Sequence, residues 1–406
     1  MTNSVAVRMY NVGFGDAFVV TVKRSRKQWK MLVDCGVHSQ GRARPIDEAV
    51  DAIIADLKAA SPDGVPHLDV VVATHRHADH IAGFALDAWE QVTVGEVWVP
   101  FTENDDDPAA TRLREAQSLA AQRLVALSAA PSLALANALA LNSLGNDDAM
   151  DRLLCRNGRG FATKPHVRYL PSVTPEENVV ATTIPDVRVH VLGPSRDPKH
   201  LKRMHPPAHA GWLRLGDTDL LADDVVDGKP RPLFNPMYAV DESQVPPDLV
   251  HAKSRLAEHP PGNDAGVLAA ASVLERCVNN TSVFLVLDAN GTRLVFPGDA
   301  QQGAWDHVLD DPATRKLVSA PAFYKIGHHG SHNATPKPYV EQVLGNGAYA
   351  MLPWGKVEQW KKIPKAELIT ALHEKGCHIV RADAPVAEPG HVEVHDDLWS
   401  EVTFAV

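Results

Sequence analysis

The apolar positions of this chain show two textures, and each predicts a different element. Short apolar runs bounded by Gly, Asp or Asn read as strands; longer stretches with apolar residues every three or four positions read as helices. Ser4 to Tyr10 alternates apolar and polar residues, and Ala17 to Val22 is apolar and β-branched. The turn Asn11-Val12-Gly13-Phe14-Gly15-Asp16 between them predicts a hairpin. Trp29 to Val33 is the next strand and ends in Asp34-Cys35-Gly36. Pro45 to Ala60 carries apolar residues at helical spacing behind a proline and acidic start. Leu68 to Ala73 is β-branched and nearly uncharged, the pattern of a strand buried on both faces. A helix over Ala82 to Trp89 and a strand over Val92 to Pro100 follow.

From Phe101 to about Pro165 the texture becomes rich in Ala and Leu, which predicts an inserted element of one or two amphipathic helices broken at Pro131. Val187 to Leu192 reads as a strand. Arg196 to Asn263 is rich in Pro, His and Asp with little periodicity, so 196–275 is expected to be a loop-rich insert. His200, His205, His209, His251 and His259 within it are expected to be solvated. Val283 to Leu287 and Thr292 to Phe296 flank an Asn290-Gly291 turn, a strong hairpin signal. Ala322 to Gly327 is a further strand. Helix and strand then alternate over Pro336–Leu344, Tyr349–Leu352, Lys365–Glu374, His378–Arg381 and Val392–Val406. The chain therefore reads as α/β.

Composition narrows the class. With 406 residues and a 45% hydrophobic fraction there is ample material for a packed core. No apolar stretch approaches a membrane span, and the N-terminal segment lacks the layout of a signal peptide, so a soluble cytoplasmic protein without a membrane partner is expected. Cys35, Cys155, Cys277 and Cys377 are far apart and form no CxxC pair, which argues against a disulfide framework or a cysteine zinc site. A net charge of −10 argues against an extended basic surface. Oligomeric state is left open.

The chemistry concentrates at strand ends. Thr74-His75-Arg76-His77-Ala78-Asp79-His80 leaves the buried strand with four metal-competent side chains. In an extended loop His75 and His77 point the same way, while Asp79 and His80 lie about a turn further on. A polar loop with chance histidines is the bland alternative, since histidine makes up 20 of the 406 residues. Pro297-Gly298-Asp299-Ala300 places an Asp at another strand end, where it serves either as a ligand shared by two cations or as a helix N-cap. His328-His329-Gly330-Ser331-His332 ends a third strand. Asp34 is a turn residue on its own evidence, and His38, which has no motif, is expected at the surface.

Taken together, His75, His77, Asp79 and His80 resemble the HxHxDH signature of the metallo-β-lactamase superfamily. Asn11 to Ala17 is similar to the NVGQGDA turn of the lactamase-like domain of the DNA-uptake protein ComEC, with Phe14 in place of the usual glutamine. His328 to Ser331 resembles the HHGS motif of that branch. The resemblance implies a single αββα sandwich over 1–406, interrupted by the helical insert 101–165 and the loop-rich insert 196–275. It implies two divalent metal ions held by His75, His77, Asp79, His80, Asp299 and His328, with His329 the alternative to His328. Asp79, His329 and His332 would take part in catalysis. Asp34, Asn279, Asn280 and Ser331 would stand behind the ligands or face substrate. Asn279 and Asn280 occupy the strand start where many members of the superfamily place a further histidine, so one ion would have a thinner shell.

A mixed nitrogen and oxygen shell suits zinc, and the carboxylate share leaves manganese open. Two such ions would lower the pKa of a bridging water, and hydrolysis is the expected reaction. The resemblance implies a phosphodiesterase or nuclease acting on a phosphodiester, nucleic acid included. The alternatives are a hydrolase of a small ester, lactone or amide, and a non-catalytic binding module in a larger assembly. Because both inserts leave the core at strand ends, at least one is expected to cover the metal cleft.

Overall fold

The computed structural model describes residues 3–39, 41–128, 134–143, 146–204, 264–357 and 362–406, with 206, 211–212, 225–226, 229–230 and 360. Strands β1 (Ser4–Tyr10), β2 (Ala17–Arg24) and β3 (Lys27–Cys35) form an antiparallel meander. Helix α1 (Ile46–Ala59) crosses over to β4 (His67–Val72), and the ligand loop runs into the short α2 (Ala78–Ile81). β5 (Thr93–Pro100) follows, then α3 (Pro108–Leu127), α4 (Ala134–Ser143) and α5 (Asp147–Leu153), before β6 (His166–Leu170). β3 to β6 pair in parallel.

The second half begins with β7 (Val179–Ala181), β8 (Val187–Gly193) and α6 (Pro198–Leu201), then the two-residue strands β9 (Val225–Val226) and β10 (Lys229–Pro230). Next come α7 (Asp264–Asn279), β11 (Phe284–Ala289), β12 (Thr292–Phe296), α8 (Gln302–Asp310) and α9 (Pro312–Leu317). β13 (Phe323–Lys325), α10 (Lys337–Gln342), β14 (Tyr349–Leu352), α11 (Ala366–Glu374) and β15 (His378–Arg381) continue the alternation. β16 (Val392–His395) and β17 (Trp399–Ala405) return to the first sheet, where β17 pairs with β1. The result is two mixed sheets in a sandwich-like arrangement. One has eight strands in the order β16-β17-β1-β2-β3-β4-β5-β6, the other seven in the order β15-β14-β13-β12-β11-β8-β7.

The period-2 alternation of the strands explains why the core has two kinds of surface. On β3, Trp29, Met31 and Val33 face the second sheet and pack with Leu285, Leu287, Leu294 and Phe296. Leu32 and Cys35 on the opposite face pack under α1 with Ile53 and Leu57. On β11 the same switch sends Phe284 and Val286 outward against Trp305 and Val308 of α8. Continuous apolar runs are what strands covered on both sides require. Parallel strands β3, β4, β12 and β13 all end at one rim, the position where ligands collect in α/β sheets.

Several expectations need correction. Ala82 to Trp89 is not a helix: α2 begins inside the ligand loop and breaks into two 3-10 turns, Ala82–Ala85 and Asp87–Gln91. Gly83 lies in that stretch, where a Cβ would come within 2.7 Å of Cys35 Sγ, so packing imposes a poor helix former. The stretch 196–275 is not loop throughout, because α7 occupies its C-terminal end. His38 is buried, not at the surface: its N–H donates to Phe14 O and its ring lies 4.7 Å from Trp360. His200 is half-buried, with Nδ1 2.8 Å from Ser195 Oγ. His205, His209, His251, His259 and the break at Pro131 lie outside the described residues. No helix among the described residues is long and apolar enough to cross a membrane.

Candidate metal centre

Close backbone approach assembles this rim. Gly36, just past β3, would put a Cβ within 2.4 Å of Ala78 O, so only glycine lets the ligand loop pass there. Asp34 adopts a left-handed φ of 57°, uncommon for a non-glycine residue. The conformation turns its carboxylate into the loop, where Oδ1 accepts from Thr74 N and Oδ2 from Thr74 Oγ1, each at 2.7 Å. Oδ2 also accepts from His80 Nδ1 at 2.8 Å. Gly298, with φ 58°, lets the end of β12 lie against Ser282 and Thr74, and Ser282 Oγ accepts from Asp299 N at 3.1 Å. Asp34 and Ser282 thus tie both sheets to the ligand loop.

Those bonds set which nitrogen of each imidazole faces the cluster. Asp34 takes the Nδ1 proton of His80, which leaves Nε2 facing Asp299 Oδ2 at 3.1 Å. His329 Nδ1 lies 2.6 Å from Pro353 O, a pure acceptor, so Nδ1 donates and Nε2 faces Asp79 Oδ2 at 3.4 Å. Both Nε2 atoms are buried, and among the described residues their near neighbours are these carboxylates. Thr74 Oγ1 spends its proton on Asp34, so it accepts from His75 Nδ1 at 3.2 Å, and His75 Nε2 lies 3.0 Å from His77 Nδ1. Donors around a zinc ion at ~2.1 Å stand roughly 3.4 Å apart, close to these separations.

Asp79, His80, Asp299 and His329 place donor atoms all within 4.8 Å of one another, and Asp16, Asp34 and His80 form an adjoining group. His75 and His77 adjoin the first group through the His75–His80 ring contact, with centroids 4.1 Å apart. Of the neighbouring histidines on β13's exit turn, His329 enters that group. His328 stands beside it, with Nε2 3.3 Å from Glu275 Oε1 and its backbone N–H donating to Asp299 Oδ1 at 3.0 Å. The remaining expected residues lie further out. Asn279 Nδ2 is 3.3 Å from His328 Nε2, Ser331 Oγ donates to Asn333 Oδ1, and His332 is half-buried. Asn280 turns away from the rim, where its amide donates to His200 O and Leu201 O.

Buried carboxylates and cations meet at this rim. Asp16, Asp34, Asp79 and Asp299 are buried, and Lys325 is the buried ammonium among them, 2.5 Å from Asp16 Oδ2 and 3.1 Å from Asp299 Oδ1. Burial works to lower the Lys325 pKa, but Asp16 and Asp299 outweigh it and hold the group charged. Burial likewise works against ionised Asp299; His80, Lys325 and His328 reverse this and hold it well below the usual carboxylate range. Burial acts downward on His80 too, and is overcome by Asp299, Asp16 and Asp34, which raise it well above its ordinary value. His75 and His77 are lowered by burial. Buried charges of either sign are costly unless each is paired. The clustered imidazole nitrogens and carboxylates are donors that could hold metal ions.

A helical cap closes over the rim. Ala121 and Leu124 of α3, Leu139 and Ala140 of α4, and Ala271 and Leu274 of α7 form one small core. Asn142 of α4 donates to Asp79 Oδ1 at 3.2 Å, and Asn146 donates to Arg76 O at 2.8 Å. None of His75, His77, Asp79, His80, Asp299, His328 and His329 is more than 8% exposed. Sequence reasoning missed Asp16, Asn142, Glu275 and Lys325. Lys325 did leave a signal, as the one charge in the apolar run Phe323 to Ile326. Asn142 left none. The chain matches no protein-family model and no curated protein.

Proposed function

We propose that this protein is a metal-dependent hydrolase of the metallo-β-lactamase fold, acting on a phosphodiester. The observation that carries the reading is the buried group of Asp79, His80, Asp299 and His329, in which His80 Nε2 faces Asp299 and His329 Nε2 faces Asp79. Asp79, His80, Asp299 and His329 would hold metal together with His75 and His77, and His328 stands at the edge of the set. Bound there, divalent metal supplies a water of lowered pKa and stabilises charge on the attacked phosphoryl oxygen. Asp34 and Pro353 O hold the Nδ1 side of His80 and His329, so that Nε2 is the nitrogen that would meet metal once it displaces any proton there. Lys325 pairs with Asp16 and Asp299 and holds both carboxylates in place. His332, on the turn beyond His329, is the imidazole left to protonate the leaving oxygen.

An anionic substrate is favoured by Arg76, the cation of the ligand loop. Its ion pair with Asp147 is loose, at 3.8 Å, and its Nε is buried without a hydrogen bond among the described residues. Burial under the cap favours a small diester over a long nucleic-acid strand, and it equally supports the second reading, a hydrolase of a small ester or lactone. Bis-p-nitrophenyl phosphate, single-stranded DNA and a lactone panel, each assayed with zinc and with manganese, separate these. Metal-dependent release of nitrophenol supports the first reading. Turnover confined to lactones moves the assignment to the second, and metal binding without any turnover supports a binding module.

A further inference from the structure

His328 presents a puzzle of hydrogen bonding that its neighbours on α7 resolve. Its backbone has a left-handed φ of 45°, and its Nδ1 is buried with no hydrogen-bond partner among the described residues. Its Nε2 has two neighbours, Glu275 Oε1 and Asn279 Nδ2, each at 3.3 Å. A carboxylate only accepts and an amide NH2 only donates, so the two cannot both serve one nitrogen as placed. Turning the Asn279 amide over removes the conflict at Nε2: its Oδ1, without a hydrogen-bond partner among the described residues as placed, then faces His328, and the NH2 takes the position Oδ1 held. Both neighbours then accept from Nε2–H, and Nδ1 is the nitrogen not held by α7. Glu275 and Asn279 are four residues apart on one helix and therefore share a face. That helix belongs to the cap, with Leu274 packed against α3 and α4.

We infer that Glu275, assisted by Asn279, is a positioning residue that fixes His328 with Nδ1 free for metal, so that closure of the cap and metal binding support each other. The inference rests on the metal-centre reading above. A carboxylate holding the far nitrogen of a ligating histidine sets its tautomer and orientation, and its loss typically weakens metal binding about 10–100-fold. What is unusual here is its origin. Among the described residues, the partners that fix His80 and His329 come from the sandwich, at Asp34 and Pro353. The partner of His328 comes from a helix that is part of the cap. By linkage, anything that lifts α7 weakens metal binding, and metal holds α7 down by the same free energy.

The test titrates zinc alone against a chromophoric chelator in the wild-type chain, Glu275→Ala and Glu275→Gln, and follows hydrogen exchange of 264–279 with and without zinc. The expected result is a zinc affinity lowered about 10–100-fold in Glu275→Ala and largely restored in Glu275→Gln, whose amide oxygen still accepts from Nε2–H. Zinc should slow exchange of 264–279 in the wild type and do so much less in Glu275→Ala. Wild-type affinity in Glu275→Ala overturns the inference while leaving the metal centre standing. An equal loss in Glu275→Gln overturns the orienting role. If Glu275→Ala does not fold, the wild-type chain decides alone: exchange of 264–279 that ignores bound zinc overturns the coupling. A wild-type chain that binds no zinc overturns the centre and this inference together.

Discussion

The sandwich rim and the cap are built from different material, and both reach the same cluster of side chains. Between the sheets the core is made of large residues, with Phe18, Trp98, Leu285 and Phe296 almost wholly buried. The cap core is small and rich in alanine, with Ala121, Ala136, Ala140 and Ala271 buried around three leucines. At about 25 cal/mol per Å² of apolar surface, alanine contacts contribute far less than the phenylalanines and leucines of the sandwich. The rim should therefore be a stiff scaffold and the cap a separately opening unit. Stiffness belongs where ligand geometry is set, and compliance belongs where substrate must enter a site this buried.

The largest expected effect falls on the rim. Asp299→Asn removes a charge from beside His80 and Lys325, and should lower metal-dependent hydrolysis by ~10³-fold, the scale of losing a main electrostatic contact in a water-poor site. Circular dichroism should be unchanged. Unaltered turnover with unaltered metal content would show that Asp299 is not a ligand, and the rim would lose its claim to the chemistry. Lys325→Met should destabilise the chain by roughly 3–5 kcal/mol, because it leaves Asp16 and Asp299 buried without their ammonium. Bound zinc should recover part of that loss in a thermal melt; no recovery would separate Lys325 from the metal site.

A matched pair of core substitutions probes the contrast directly. Phe296→Ala, between the sheets, should cost about 3–5 kcal/mol in denaturant unfolding. Leu139→Ala, in the cap, should speed hydrogen exchange and proteolysis across α3, α4 and α7 while moving the main unfolding transition little. Equal shifts of one cooperative transition would mean that cap and sandwich unfold as a unit.

How much of this was legible depended on which force fixes each part. The strands were legible because burial on both faces demands uninterrupted apolar runs, as Leu68 to Ala73 and Val283 to Leu287 show. The ligand loop was legible because its donors are adjacent in sequence. Lys325 and Asp16 were not read because their importance lies in meeting each other across the two sheets, a contact no local pattern records. The misassigned helix at Ala82 failed for a tertiary reason, the packing of Gly83 against Cys35. α7 was partly hidden by the aperiodic stretch before it. His38 read as a surface residue because nothing in the sequence places Trp360 beside it.

Metal-free protein should show a stability maximum near the ordinary histidine pKa, about 6.5. His80 is raised, so its contribution is complete below that value and is lost as pH rises through the folded pKa. His75 and His77 are lowered, so the unfolded chain binds their protons more readily and stability falls as pH drops below the same point. Zinc should flatten the alkaline side, since it replaces the proton that His80 gives up. A melting temperature that climbs steadily from pH 6.5 to 8.5 without metal would contradict this account of the rim.

The smallest expected effect is at the contact between cap and rim. Asn142 donates to Asp79 Oδ1 from α4, so Asn142→Ala removes one charge-assisted hydrogen bond, worth about 1.5–3 kcal/mol before relaxation. The loss should be smaller in practice, because the alanine-lined cap can open slightly and let water reach Asp79. Melting temperature should then barely move. What should change is discrimination: with the cap less firmly seated, larger diesters should gain relative to bis-p-nitrophenyl phosphate. Comparing kcat/KM for single-stranded DNA and for the small diester in both proteins reads that ratio. A uniform fall for both substrates would place Asn142 with the metal ligands, as an orienter of Asp79. An unchanged ratio with unchanged rates would show that α4 merely covers the rim.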